Sequence, residues 1–233
     1  MKSFNFTIIL CGFCFISHSQ NNKLTIGVLG TFDKYFQSTG KFGFGNVREY
    51  QLHTAYSYGL QAQYNFNEKY FIRAGCLHSV KGYEISQYNF IAIDGTVNDP
   101  AIPQSSKVQY NSVVFPVMYG GYYKRSTKLK LSAAVGAVNE FVYQTNEESV
   151  SGNGSVNTTK HLSNGMSEFY FSGQINLGAE YHFMERFYIS VEPYFRYLFN
   201  EFGFGDGLME FHPISYGSIV GLHYKLFIQA KEE

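Results

Sequence analysis

His78, Ser79 and Glu84 are the three side-chain types of a Ser–His–acid hydrolase, and they fall close together in the chain. In that chemistry an imidazole takes the hydroxyl proton while the acid orients the imidazole. Adjacent residues on a strand point to opposite faces, so His78 and Ser79 cannot hydrogen-bond side chain to side chain within one regular strand. A partner from a neighbouring strand stays open. No Gly-x-Ser-x-Gly elbow occurs, and Gly217-Ser218 lacks its framing. No enzymatic activity is expected. His53, His78, His161, His182, His212 and His223 show no metal-ligand spacing, and neither HExxH nor CxxC is present, so neither metal nor cofactor is expected. Gly43-Phe44-Gly45 and Gly203-Phe204-Gly205 read as loop turns, since no helix follows to make a phosphate cradle. A second set of ionisable groups, Arg73, Glu180, Glu192 and Arg196, alternates with apolar residues. Four such groups form either a packed polar plug or a path for ions, and the elements that hold them decide which.

Those elements read as long strands. Phe169, Phe171, Ile175, Leu177, Ala179, Tyr181 and Phe183 alternate with Tyr170, Ser172, Gln174, Asn176, Gly178, Glu180 and His182. After Met184–Arg186, Phe187, Ile189, Val191, Pro193, Phe195 and Tyr197 alternate with Tyr188, Ser190, Glu192, Tyr194 and Arg196. Each arm therefore has one apolar and one polar face. Both exceed the mean soluble strand of about 5–6 residues and reach the roughly 9–11 that cross a bilayer at a tilt.

Composition agrees with a single β domain. Aromatics make up 18% of the 233 residues, Trp is absent, and charged residues are only 15%, low against an average near 25%. A formal net charge of zero gives no electrostatic case for nucleic acid. Lys2, the apolar run Phe6–Ile16 and the small residues flanking His18 in Ser17-His18-Ser19 read as a cleaved export signal over residues 1–19. A lipidated Cys14 is the weaker alternative, because Cys11-Gly12-Phe13 lacks the usual preceding residues. Cys76 alone survives cleavage, which excludes an intramolecular disulfide.

Over residues 20–233 the alternation predicts eight strands: Leu24–Phe32, Thr54–Phe66, Lys69–Val80, Val108–Tyr123, Lys128–Asn139, Glu168–Phe183, Arg186–Phe199 and Pro213–Phe227. Long connections (33–53, 81–107, 140–167, 200–212) alternate with short ones (67–68, 124–127, 184–185), a rhythm that puts every long loop at one end. Ser149–Thr159 reads as part of one such loop. Tyr64, Phe66, Tyr70, Tyr122, Tyr123, Tyr181, Phe183, Phe187 and Tyr224 gather near the short turns. Phe32, Tyr56, Tyr110, Phe141, Tyr143, Phe169, Tyr197, Phe199 and Tyr216 gather near the long loops. Two aromatic girdles around a Leu/Ile/Val/Ala band are expected where amphipathic rings sit at both membrane interfaces.

Val113-Val114-Phe115-Pro116-Val117-Met118-Tyr119, Gly178-Ala179-Glu180-Tyr181 and Val191-Glu192-Pro193-Tyr194 carry a resemblance to a known family. The chain resembles the Bacteroidetes outer-membrane β-barrel family, which groups with the PorT-like and OmpA-type eight-stranded barrels. The last strand, with Gly221, Tyr224 and Leu226, is similar to the assembly signal of bacterial barrels; Ile219 and the extension Ile228–Glu233 depart from it. A PorT-like member would be a subunit supporting protein secretion across the outer membrane. The implied partners are outer-membrane lipid, the barrel-assembly machinery, and secretion-system or surface partners.

The expected fold is thus an all-β, eight-stranded antiparallel up-and-down transmembrane barrel in the outer membrane of a Gram-negative cell. Its lumen is filled by side chains, with Glu192 paired to Arg196 or to Arg73. A docking, secretion-supporting or adhesin role then falls to loops and wall. The rival is a secreted lipocalin-like barrel that binds an apolar ligand. It has the opposite polarity, so the two part on whether Ile189 and Leu177 face out and Glu192 in.

Overall fold

A computed structural model describes residues 24–35, 48–52, 55–87, 103–126, 128–151, 154–162, 169–199 and 214–226. Ten strands occupy them: β1 (Leu24–Tyr35), β2 (Arg48–Leu52), β3 (Ala55–Asn65), β4 (Tyr70–Gln87), β5 (Pro103–Arg125), β6 (Leu129–Ser151), β7 (Val156–Leu162), β8 (Phe169–His182), β9 (Phe187–Leu198) and β10 (Ile214–Leu226). Eight of them, β1, β3, β4, β5, β6, β8, β9 and β10, pair antiparallel in sequence order, and β1 pairs β10 to close the barrel. The expected leader, 1–19, and the expected loop turns at 43–45 and 203–205 lie outside the described residues. Among the described residues no helix is long and apolar enough to cross a membrane.

The expected polarity is the observed one. Leu177 is 57% and Ile189 44% exposed, whereas Glu192 is 3% exposed. The outward faces carry Val28, Leu60, Val117, Val135, Ile175, Val191 and Leu222, a continuous apolar band far larger than a soluble barrel leaves bare. Rings bracket it. On the long-loop side Phe115 meets Phe141, which meets Phe169, while Phe171 and Tyr197 both contact Phe199. On the short-turn side Tyr70 stacks on Tyr119, and Phe187 contacts Phe183 and Tyr224. Two rings assigned to the girdles face the lumen instead. Tyr110 is buried, and Tyr122 turns inward beside a bulge between Tyr122 and Lys124, which leaves Tyr123 as the outward ring.

The short turns are held by their own side chains. Asn67 Oδ1 accepts from the backbone N–H of Lys69 (2.7 Å) and Tyr70 (2.9 Å), and Ser126 Oγ both accepts from Leu129 N and donates to Leu129 O. Tight curvature shows at Gly136, where an added Cβ would sit 2.0 Å from the Val117 carbonyl oxygen and 2.7 Å from Met118. Gly30 has open space on its lipid side. Gly136→Ala is therefore expected to cost about 1–3 kcal/mol or more, through overpacking against backbone that cannot shift freely. Gly30→Ala should stay within roughly 0.5 kcal/mol of the parent. Urea titration of the folded barrel in detergent reads both.

The largest departure from the sequence reading lies beyond the long-loop girdle. β4 runs on to Gln87, β5 begins at Pro103, and β6 reaches Ser151, each well past the bounds that apolar alternation set. Two further strands lie inside segments read as loops. β2 pairs with β4 from Arg48↔Gln87 to Leu52↔Tyr83, and β7 pairs with β6 from Gln144↔Leu162 to Val150↔Val156. Ser149–Thr159 is thus mostly strand, with Gly154 at φ 79° in the turn. Outside the bilayer the strands need no apolar face, so the signal that marks them inside it disappears. The result is a five-stranded sheet, β2-β4-β5-β6-β7, rising on one side of the barrel. The stretch of β5 above Phe115 runs roughly 40 Å along the strand at about 3.3 Å per residue.

Candidate functional site

The lumen is packed in layers. Nearest the short turns, Tyr122 donates to Glu180 Oε1 (2.8 Å) and accepts from Gln63 Nε2 (2.9 Å). His182 Nε2 stands 3.4 Å from the other Glu180 oxygen. The rings of His182, Tyr188 and His223 follow one another at 4.7 Å and 4.5 Å. One level up, Arg73 Nη1 meets Glu192 Oε1 at 2.5 Å, and Asn176 Nδ2 donates to Glu192 Oε2 at 3.0 Å. Both ions of the pair are nearly inaccessible. Desolvating two charges this far is tolerable only because they pair with each other; both Glu192 oxygens are bonded, whereas Arg73 Nη2 finds no hydrogen-bond partner among the described residues.

Above that pair lies an apolar layer: Leu29, Leu77, Val114, Val138, Tyr194 and Ile219. Leu77 separates Arg73 from Lys81 on β4, and Tyr194 separates Glu192 from Arg196 on β9. A second polar layer follows. Lys81 pairs with Glu140, which also accepts from Ser112 Oγ (2.6 Å). Arg196 Nε donates to Gln174 Oε1 (2.9 Å), with Arg196 Nη1 3.9 Å from Asp33. A cavity of about 20 Å³, lined by Thr31, Gln61, Arg73, Leu77, Gln174 and Arg196, lies within this packing. That is space for about one water molecule.

The four charges marked in the sequence thus occupy three stations. Arg73 and Glu192 meet, Arg196 sits apart with Gln174 and Asp33, and Glu180 is lower with Tyr122 and His182. Asp33, Lys81 and Glu140 went unmarked, and each is the first residue past a strand end drawn where apolar alternation stopped. Inward parity carried one step further finds all three.

His78 and Ser79 do point apart. Ser79 accepts from Ser57 Oγ in the lumen (2.9 Å), while His78 Nε2 meets Tyr143 OH on the outer wall (2.8 Å). A different Ser–His contact, absent from the sequence reading, joins β9 and β10: Ser190 Oγ to His223 Nε2 at 2.8 Å. Gly27 and Gly221 clear the space its imidazole fills, since a Cβ there would lie 2.2 Å and 2.4 Å from its nitrogens. Ser190 is 1% and His223 3% exposed, so the packed lumen keeps substrate from the hydroxyl. Among the described residues no group of three or more His, Cys, Asp or Glu is arranged to hold a metal. On β10, Gly221 faces the lumen, and Tyr224 takes a hydrogen bond from Arg186 Nη1 at 3.2 Å.

The family model described as outer membrane protein beta-barrel domain matches residues 18–206. No curated protein matches the chain. Among solved structures, the outer membrane protease OmpT of Escherichia coli is 10% identical, covering 90% of this chain and 99% of that one at a TM-score of 0.48. Neisserial surface protein A is 12% identical, covering 87% and 97% at 0.46. The attachment invasion locus protein Ail of Yersinia pestis is 12% identical, covering 89% and 100% at 0.43.

Proposed function

From the premise that this chain belongs to the outer membrane protein β-barrel domain family, we propose that it is a surface docking component. The barrel is the anchor, and the raised sheet β2-β4-β5-β6-β7 is the part that meets a partner outside the cell. The observation that carries the reading is the height of that sheet: strands of 23 residues in β5 and β6, where roughly 9–11 suffice to cross the bilayer. The layered lumen supports a non-conducting role. Val156, Asn157, Thr158, Thr159 and Lys160 of β7 are exposed, and among the described residues β7 pairs only with β6, which supports pairing of its other edge with an extended segment of a partner. The residues of the PorT-like resemblance support a second reading, a secretion-supporting subunit in a Bacteroidetes host that touches its partners through the wall and the periplasmic turns. We assign residues 1–19 to the export signal, and Gly221, Tyr224 and Leu226 to recognition by the barrel-assembly machinery.

Photo-crosslinking residues placed singly at Thr158, Leu177 and Glu185 separate the two roles. Surface docking expects protein adducts at Thr158 on intact cells. Adducts confined to Leu177 and Glu185 would replace it with the secretion-supporting reading.

A further inference from the structure

The chain is formally neutral, yet among the described residues the charges outside the lumen are distributed unequally between the two ends of the barrel. At the short-turn end, the described turns and strand ends carry Lys69, Lys124, Arg125, Lys128, Arg186 and Lys225, against only Glu68 and Glu185. Above the opposite girdle, Lys34, Arg48, Lys107 and Lys160 are matched in number by Glu49, Glu84, Glu147 and Glu148. The cations also have a defined depth. Lys69 adjoins Tyr70 and Arg186 adjoins Phe187, so each precedes an outward girdle ring. Those rings sit at the level of lipid headgroups. Lys69, Lys128 and Arg186 are exposed. Arg186 is oriented at this level by Tyr224 OH at 3.2 Å, whereas Lys225, opposite buried Thr25, lies on the lumen side of β10 and donates to the Glu185 carbonyl.

We propose that this basic collar binds the phosphate groups of anionic phospholipids in the periplasmic leaflet. The depth of the collar selects lipid over a periplasmic protein, because headgroup phosphates lie at the height of the flanking rings. Each cation near an anionic lipid surface contributes additively, and the attraction is screened by salt. The collar would hold the barrel at a fixed depth.

The test reconstitutes the folded protein in nanodiscs of phosphatidylethanolamine with a minority of phosphatidylglycerol, and measures co-purifying lipid by native mass spectrometry. The wild type is expected to retain phosphatidylglycerol in excess over the bulk. Lys69→Gln/Lys128→Gln/Arg186→Gln should lower that enrichment roughly tenfold. Lys34→Gln/Lys107→Gln/Lys160→Gln, at the opposite end, should leave it unchanged. No enrichment in the wild type, equal loss in both variants, or no loss in the first would overturn the proposal. If the first variant fails the heat-shift assay, raising salt on the wild type decides the matter. Enrichment must fall as salt rises, and enrichment indifferent to salt overturns the proposal too.

Discussion

Glu192→Leu is expected to destabilise the folded barrel by about 3–5 kcal/mol, the usual cost of removing one partner of a buried ion pair. The loss exceeds that of the contact itself. Arg73 would stay enclosed with no carboxylate opposite, and Asn176 Nδ2 would lose its acceptor. Arg73→Met/Glu192→Leu, which removes both charges and keeps volume, should recover most of the stability. Arg196→Gln should cost less than Glu192→Leu, because its acid lies 3.9 Å away and its side chain keeps 12% exposure. Urea titration read by heat-modifiable mobility in detergent ranks all three. A Glu192→Leu barrel within about 1 kcal/mol of the parent would mean that the lumen admits enough water to solvate Arg73, and the layered packing described above would be wrong.

Leu177→Arg is expected to cost about 2–4 kcal/mol, the penalty for a cation at the midplane of a barrel's lipid face. Phe169→Arg, on the same face of β8 but in the upper girdle, should cost only about 0–1 kcal/mol in charge transfer. It would also lose the ring contact with Phe141, at 5.0 Å, which adds roughly 0.5–1.5 kcal/mol. The steep dependence on depth is specific to a lipid surround. Reversible folding of each variant into vesicles measures it, and equal costs at both positions would contradict the orientation of the wall.

How much of this could be read from the residues depended on where lipid stood. Inside the bilayer each strand has an oily face, so β8 and β9 were legible almost to the residue from alternation alone. Above it the constraint is gone. Lys81-Gly82-Tyr83-Glu84 and Val156-Asn157-Thr158-Thr159 form strands without apolar alternation, and their partners are set by register across the sheet. Tyr122 illustrates a different limit. Its neighbour Tyr123 is the same residue type, and only the bulge between Tyr122 and Lys124 decides which ring enters the lumen. The Arg73–Glu192 pair was one of two alternatives open in the sequence. Their separation of 119 positions makes the meeting a product of barrel closure, which no local pattern encodes. Ser190 and His223 meet for the same reason, across β9 and β10.

The unequal height of the strands gives the molecule a front and a back in the plane of the membrane. Most small barrels resemble cylinders that can spin about the membrane normal without changing what a neighbour encounters. Among the described residues β4, β5 and β6 stand tall while β1, β3, β8, β9 and β10 end near the girdle, so rotation alters the profile. Two copies side by side would meet back to back, face to face or in file, and each arrangement leaves different ground accessible from outside. Crowding in that plane therefore acts on azimuth, and a cluster of these molecules would carry a preferred direction.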